Sequence, residues 1–410
     1  MTGPAGRLYT IAVTGTNGKT TTTSMVDAIV AQSGEPSARV TTLGSWVDGR
    51  QIASTTDLDA FFGAVAAALD AGVRTLALEV TSKALRDGFA RHWPANVAVF
   101  TNLTRDHFDY HESPEHYLAA KAQLFTSLPA DGVAVLNAKD AASVLLLDVL
   151  PPGVRVAGFR VGPTNSGFPE ESVALAAEEV QATPEGTRVK LGPSPLAEAL
   201  GGELSIAALG RFNVENALAA AVAADAAGYP ARAIRAGLAA FGGVPGRLEV
   251  VWRSPMVLVD YAHTPDALGQ VLKAARALGG GRVWAVFGCG GDRDRGKRPE
   301  MGRVAARHAD GLVLTSDNPR GEEPAAIVEE IRSGMEEGPE RAERTVRVVV
   351  ELDRERAIRL AIHEAERDDI VVICGKGHER LQVIGGRSVE LSDTGIALSA
   401  CRARFEEKSK

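Results

Sequence analysis

Cysteine is scarce in this chain. The three that occur, Cys289, Cys374 and Cys401, lie far apart and form no CxxC pair. That pattern excludes an even disulfide framework and a zinc ribbon, and it fits a reducing compartment. Long hydrophobic runs are also missing: no stretch reaches the ~18 consecutive apolar residues of a membrane helix. The apolar run Leu8–Val13 is strand-length and leads straight into a glycine loop, unlike the core of a leader peptide. Neither sign of charge dominates. With 45 basic and 52 acidic residues the net charge is −7, which gives no global electrostatic case for nucleic acid or an anionic membrane. There is no internal repeat and no low-complexity tract. These absences describe a cytoplasmic, soluble chain that must handle anionic ligands at local sites.

What is present is a core-forming composition: 410 residues, 45% of them hydrophobic, enough for two or three packed domains. Short β-branched runs alternate with Ala- and Leu-rich stretches. The spacing predicts strands at Leu8–Val13, Thr75–Val80, Val97–Phe100, Val133–Leu136, Val257–Asp260, Val283–Phe287, Leu312–Thr315, Val346–Val350 and Ile370–Ile373. Most are apolar without alternation, as in parallel strands buried on both faces. Helices are predicted at Thr20–Gln32, Pro114–Leu124, Asn213–Ala227, Pro265–Leu278, Pro299–His308, Pro324–Glu336 and Arg354–Glu366, several with Pro in the first turn. The fold class is α/β with doubly wound sheets. Val154–Leu209, rich in Gly, Pro and short amphipathic pieces, reads as a small antiparallel patch on the first domain. A break at Phe241–Gly246 divides the chain into domains 1–244 and 245–410.

The sharpest local signal is the run Gly15, Thr16, Asn17, Gly18, Lys19, Thr20 and Thr21, between a strand and a helix. Glycines turn backbone N–H groups toward a phosphate, and the helix N-terminus adds its positive end. Lys19 is placed for the β- and γ-phosphates and the Thr20 hydroxyl for Mg²⁺. The loop lacks the first glycine of the strict GxxxxGK[ST] pattern. It predicts an ATP or GTP site without naming the reaction.

Other residues carry weaker signals. Glu79 ends the strand Thr75–Val80, and His107 follows the strand Val97–Phe100, so both fall at strand carboxyl ends, where ligands of open α/β sheets gather. Lys121 by itself reads as a solvated lysine on an amphipathic helix, and Asn213 as a helix N-cap. In the second half, Gly288–Arg298 holds six charged residues among its eleven, four of them basic, and looks anion-binding. With Ser316–Arg320 and Cys374–Glu379 it makes three polar loops at three strand ends, which suggests one convergent site.

The string Thr14-Gly-Thr-Asn-Gly-Lys-Thr-Thr-Thr22 resembles the ATP loop of Mur ligases and folylpolyglutamate synthetases. The likeness to Mur ligases runs from Leu8 to about Arg404. It implies a P-loop central domain followed by a Rossmann-like α/β domain, with ATP and Mg²⁺ as cofactors. By resemblance, Thr20, Glu79, His107 and Lys121 would hold metal. Lys121, in its Ala-Ala-Lys…Leu-Phe context, would do so as a carbamate formed with CO₂. Lys19, Lys121, His107 and Glu79 would form the catalytic group. Asn213 and Asn216 would contact adenine, Arg247 the phosphates and Asp260 the ribose. The strings Asp317-Asn-Pro-Arg320 and Gly375-Lys-Gly-His-Glu379 are similar to those of the diaminopimelate-adding members. They imply that Asn318 and Arg320, with Asp317 beside them, grip a distal carboxylate. Gly375 and Glu379 would hold the distal ammonium, with help from Arg293. Thr55, Thr56 and Thr81 would face the acceptor.

Two features depart from that family. The phosphate loop starts at residue 14, without the preceding uridine-binding domain. The acceptor string, EVSSHxLxQxR in the family, reads Glu79-Val-Thr-Ser-Lys83-Ala-Leu-Arg-Asp87-Gly-Phe89 here, and Asp57 stands where the family has proline. Losing an arginine partner for a carboxylate is costly. The expectation is therefore an altered acceptor, or a partner protein that supplies the missing contacts. The implied reaction joins a small-molecule amino acid to a carboxylate acceptor through an acyl phosphate, with closure about Gly242–Arg247. The competing readings are a P-loop kinase or ATPase and a catalytically idle binding protein derived from a ligase.

Overall fold

A computed structural model describes residues 6–55, 57–104, 113–164, 166–183, 185–335 and 346–406. The chain forms two compact units, Met1–Gly242 and Gly243–Lys410.

The first unit is built on one 11-stranded sheet. Its strands are β1 (Tyr9–Thr14), β2 (Ala38–Thr41), β3 (Gly44–Val47), β4 (Arg50–Ala53), β5 (Thr75–Glu79), β6 (Val97–Phe100), β7 (Val133–Asn137), β8 (Arg155–Val161), β9 (Val173–Thr183), β10 (Gly186–Leu191) and β11 (Glu203–Ile206). Their order is β11-β10-β9-β8-β7-β6-β1-β5-β2-β3-β4. The centre is parallel, and its residues are buried because helices must cover both faces of such a sheet. The chain leaves β1 for β2, returns to β5 beside β1, then crosses to β6 on the other side. The carboxyl end of β1 is therefore a topological switch point, where α/β sheets open a crevice. Register fixes its neighbours: Val13 pairs with Glu79 and Thr14 with Phe100.

The segment expected to be a small antiparallel patch on the first domain does hold antiparallel pairs, and its strands continue this sheet. β8 is parallel to both β7 and β9, and only β9, β10 and β11 run antiparallel. Alternation in β10, with Val189 and Leu191 buried and Arg188 and Lys190 exposed, signals one covered face but cannot say which sheet owns the strand. At the other edge, the antiparallel β2–β4 was not anticipated. Its strands have four residues each and carry Gly, Ser and Thr.

The second unit holds a six-stranded sheet of β12 (Glu249–Arg253), β13 (Met256–Asp260), β14 (Val283–Phe287), β15 (Gly311–Leu314), β16 (Arg347–Val350) and β17 (Ile370–Cys374). The order is β12-β13-β17-β14-β15-β16, with β12 antiparallel and the rest parallel. A separate hairpin follows, β18 (Leu381–Ile384) with β19 (Arg387–Glu390). Fully buried Val257, Val259, Trp284, Val286, Val371 and Ile373 form the core with helix residues Ile358 and Ile362. Asp260 and Cys374 pair at one end of the sheet, and Phe287 and Leu314 pair at the same end, so the loops that follow these strands emerge together. No helix among the described residues is long and apolar enough to cross a membrane.

Candidate active site

In the first unit the site grows from the turn after β1. Gly15 and Gly18 have φ of +148° and +86°, a region costly for residues with a Cβ. A Cβ would also meet Thr101 Oγ1 at 1.9 Å from Gly15 and Asn216 Oδ1 at 2.2 Å from Gly18. Gly18 caps the helix Lys19–Gln32, which has no acidic residue in its first turn and no side-chain cap. No side-chain cap therefore competes with an anion for the positive end of this helix. The turn is braced on the next strand loop. Asn17 N–H donates to Asn102 Oδ1 at 2.9 Å, Thr101 Oγ1 donates to the Asn17 carbonyl at 2.6 Å, and Thr16 N–H donates to the Asn102 carbonyl at 2.8 Å.

Three further side chains converge on the turn. Lys19 Nζ donates to the carbonyls of Gly15 at 3.1 Å and Thr16 at 2.7 Å. Lys121, from the helix Pro114–Thr126, is fully buried rather than solvated. Its Nζ donates to the same Gly15 carbonyl at 2.7 Å and lies 4.1 Å from the centre of the Tyr117 ring. On the other flank, Thr20 Oγ1 donates to Glu79 Oε2 at 2.9 Å, and Thr42 N–H donates to the same oxygen at 3.1 Å. A hydroxyl and a carboxylate at this spacing are hard oxygen donors of the kind Mg²⁺ takes. His107 and Thr56 lie outside the described residues.

Asn213 is not the helix cap. The helix runs Arg211–Ala226 with Gly210 as its cap, and Asn213 Nδ2 donates back to the Leu209 carbonyl at 2.8 Å. Asn216 Nδ2 donates to Asn213 Oδ1 at 3.0 Å, and Asn216 Oδ1 accepts from Thr22 Oγ1 at 3.3 Å. The asparagine pair therefore sits directly behind the glycine turn. Thr21 is buried within the helix.

Thr55 and Thr81, two of the residues expected to face the acceptor, have local structural contacts. Thr81 Oγ1 accepts from Ala84 N–H at 3.2 Å and caps Ser82–Arg86. Thr55 is exposed, and Asp57 caps Leu58–Asp70 by accepting from Ala60 N–H at 2.9 Å. Thr55 and the Ala60 amide hold the Asp57 carboxyl below its ordinary value, the amide more strongly. Phe89 packs edge-on to Phe61 at 5.5 Å, and Phe61 also packs on Trp93 at 5.0 Å. Position 89 is thereby committed to an aromatic cluster.

In the second unit, Asp260 ends β13 with its carboxylate accepting from Leu248 N–H at 2.6 Å and Ala262 N–H at 2.7 Å. Burial pushes its carboxyl up, and the Arg247 charge partly opposes that. Arg247 stacks 4.2 Å over the Tyr261 ring. Asp260 thus pins the segment that carries Arg247.

The three polar loops meet. Lys376 Nζ donates to Asn318 Oδ1 at 3.1 Å and pairs with Glu379 Oε2 at 3.0 Å, while Asn318 Nδ2 donates to the same Glu379 oxygen at 3.1 Å. Gly375, at φ +115°, packs so closely that a Cβ would lie 2.6 Å from Asp317 Oδ2. Arg320 Nη1 donates to the Gly291 carbonyl at 2.6 Å, and Arg293 Nη1 to the Asp292 carbonyl at 3.3 Å. β18 clamps the central loop: Val383 N–H donates to Asn318 Oδ1 at 2.9 Å, Arg320 N–H to the Val383 carbonyl at 3.0 Å, and Gln382 Nε2 to the Asp317 carbonyl at 2.7 Å.

The loop Gly288–Arg298 needs correction. Arg298 is fully buried between Glu322 at 2.7 Å and Glu330 at 2.9 Å, and Arg295 also pairs with Glu330. Two of its four basic residues are thus committed to carboxylates of the protein, and the loop is less anion-seeking than its composition suggests. Sequence reasoning also missed Lys376, the Arg354–Asp393 pair and the clamp. A charged side chain carries no mark of burial in one sequence.

The comparisons with known proteins agree with this architecture. Residues 13–224 match the model of the Mur ligase middle domain, and residues 246–377 that of the Mur ligase, glutamate ligase domain. The UDP-N-acetylmuramoyl-L-alanyl-D-glutamate--2,6-diaminopimelate ligase of Thermosynechococcus vestitus is 42% identical over 98% of this chain and 79% of its own length. That of Geobacillus kaustophilus is 39% identical over 98% of this chain and 80% of its own length. A solved structure of a ligase of that name has 35% identity and a TM-score of 0.66, covering 97% of this chain and 79% of that one. Mycobacterium tuberculosis folylpolyglutamate synthase, complexed with ADP and AMPPCP, shares the fold at 22% identity with a TM-score of 0.70. A glycine turn flanked by a buried lysine and a carboxylate, in a chain matched by both domain models and by such relatives, makes this protein a member of the Mur ligase family of ATP-dependent ligases.

Proposed function

We propose that the protein joins a diamino acid such as meso-diaminopimelate to a carboxylate acceptor, forming an amide and ADP through an acyl phosphate. The observation that carries this is the convergence of Lys19, Lys121 and Glu79 on one turn. Lys19 and the helix N-terminus would bind the nucleotide phosphates. Thr20, Glu79 and Lys121 as a carbamate would hold Mg²⁺, which when bound supplies charge neutralisation at the transferred phosphoryl group. A carbamate on Lys121 keeps one N–H, so the Gly15 carbonyl retains a donor. Asn213 and Asn216 would support the adenine side, and Arg247 and Asp260 the phosphates and ribose. Asp317, Asn318, Arg320, Arg293, Gly375 and Glu379 would form the amino-acid site, where a guanidinium suits a carboxylate and Glu379 an ammonium. The reaction belongs in the cytoplasm, where ATP is available.

The acceptor differs from the UDP-linked muramyl dipeptide named for the relatives. Phe89 stands in an aromatic cluster where the family motif has arginine, and Lys83 is exposed where it has histidine. Thr55, Thr56 and Thr81 would border the altered acceptor, and a partner protein is one source of further contacts. The test is ADP release with product mass, using ATP, meso-diaminopimelate and a panel of carboxylate acceptors. Amide product with stoichiometric ADP is expected. ADP release without amide would support an ATPase instead, and efficient tripeptide formation from UDP-N-acetylmuramoyl-L-alanyl-D-glutamate would sink the altered-acceptor reading.

A further inference from the structure

We infer that Lys376 is a positioning residue that decides which end group the amino-acid substrate must carry. This rests on the reading of Asp317–Arg320 and Glu379 as the amino-acid site. Lys376 is fully buried, and its ammonium touches Asn318 Oδ1 at 3.1 Å and Glu379 Oε2 at 3.0 Å. Asn318 Oδ1 also accepts the Val383 N–H at 2.9 Å. Two donors on one oxygen fix the amide rotamer. The reversed amide would set Nδ2 against an ammonium and an N–H, leaving buried donors unpaired. Asn318 Nδ2 is therefore turned away from Lys376, with one hydrogen donated to Glu379 at 3.1 Å. The donor end of Asn318 thus lies on the Glu379 side, where the proposed amino-acid site is.

Arg320 follows in the same loop, its backbone held by β18 through Arg320 N–H to the Val383 carbonyl at 3.0 Å. An amide locked as donor beside a guanidinium suits a carboxylate and repels an ammonium. Lys376 has a second effect, because it balances the charge of Glu379 and shares its Oε2 with Asn318. Glu379 then attracts a substrate ammonium only weakly. Removing the Lys376 charge would free Asn318 to rotate and leave Glu379 uncompensated. Both changes favour a cationic end group over a carboxylate.

The experiment compares kcat/KM for meso-diaminopimelate and L-lysine in the unmodified chain, Lys376→Met, Lys376→Gln and Lys376→Arg. In Lys376→Met the diaminopimelate-to-lysine ratio is expected to fall about tenfold or more, the size of one charge-assisted hydrogen bond. The change should lie mainly in KM for diaminopimelate, with KM for ATP unmoved, and Arg should restore part of it. Gln keeps a donor but no charge and carries the comparison if Met does not fold. The Asn318 side-chain amide resonance, identified by its loss in Asn318→Asp, should shift in Lys376→Met without any substrate. An unchanged ratio or an unmoved resonance in a folded variant overturns the role of Lys376. An unmodified chain that uses neither amino acid overturns the amino-acid site itself, while the resonance still judges the amide lock.

Discussion

The Nζ atom of Lys121 donates to the Gly15 carbonyl at 2.7 Å, tying a helix to the turn at the end of β1. A fully buried lysine is costly unless its charge is offset or chemically changed. The Gly15 carbonyl and the Tyr117 ring offset part of that cost, and conversion to a carbamate that binds metal would change the group altogether.

Replacing Lys121 with Ala should lower ADP-forming ligase activity by at least about a hundredfold, a loss typical of removing a group that organises transition-state charge. Short carboxylates added to the assay should restore part of the rate, since they supply the missing oxygens. Full activity in Lys121→Ala, with the fold verified by circular dichroism, would remove Lys121 from the mechanism.

Gly18→Ala should damage the phosphate loop. The added Cβ would meet Asn216 Oδ1 at 2.2 Å at a φ of +86°. A loss of ~1–3 kcal/mol in stability is expected from strain of this kind, with weaker ATP binding by calorimetry. Unaltered ATP affinity would show that the turn does not hold the nucleotide.

The central strands β5, β6, β13, β14 and β17 were legible because continuous apolar runs between glycine turns have few other uses. The phosphate loop was legible because glycine, lysine and threonine must follow a fixed spacing. β2–β4 were not, since four-residue strands are too short to show a period and theirs mix Arg, Gln, Gly, Ser and Thr with the apolar residues. Lys121 reads as a solvated residue by composition, and only a resemblance gave it a role. The helix predicted to begin at Asn213 begins two residues earlier, at Arg211, because Gly210 is its cap. Arg298, Arg354 and Lys376 look like surface charge in sequence, yet all three are buried against partners remote along the chain, Glu322, Asp393 and Asn318 respectively.

Arg354 and Asp393 form a fully buried pair at 2.7 Å, and Arg354 also donates to the Ser316 carbonyl at 3.1 Å and the Cys374 carbonyl at 2.9 Å. Arg354→Met should cost ~3–5 kcal/mol because Asp393 is left charged and unpaired. Urea unfolding measures this. Adding Asp393→Leu should recover part of the loss, and no recovery would mean that the carbonyl contacts dominate.

Acid should loosen the loop around Arg298. The Arg298 guanidinium and the Asp292 N–H hold the Glu322 carboxyl down to about 2. A depressed carboxylate contributes stability that is full above its unfolded value near 4.5 and is lost as pH falls toward about 2. The difference in stability between the unmodified protein and Glu322→Gln should therefore shrink across that window. A difference that stays constant with pH would show that the ion pair is not retained in solution.

The β18–β19 hairpin lies outside both main sheets, and Leu381, Ile384 and Val389 are exposed on it. It nonetheless grips the backbone of the Asp317–Arg320 loop. A lineage could remodel this outer ribbon residue by residue and so retune the choice of amine, while the buried strands beneath bear none of the mutational load.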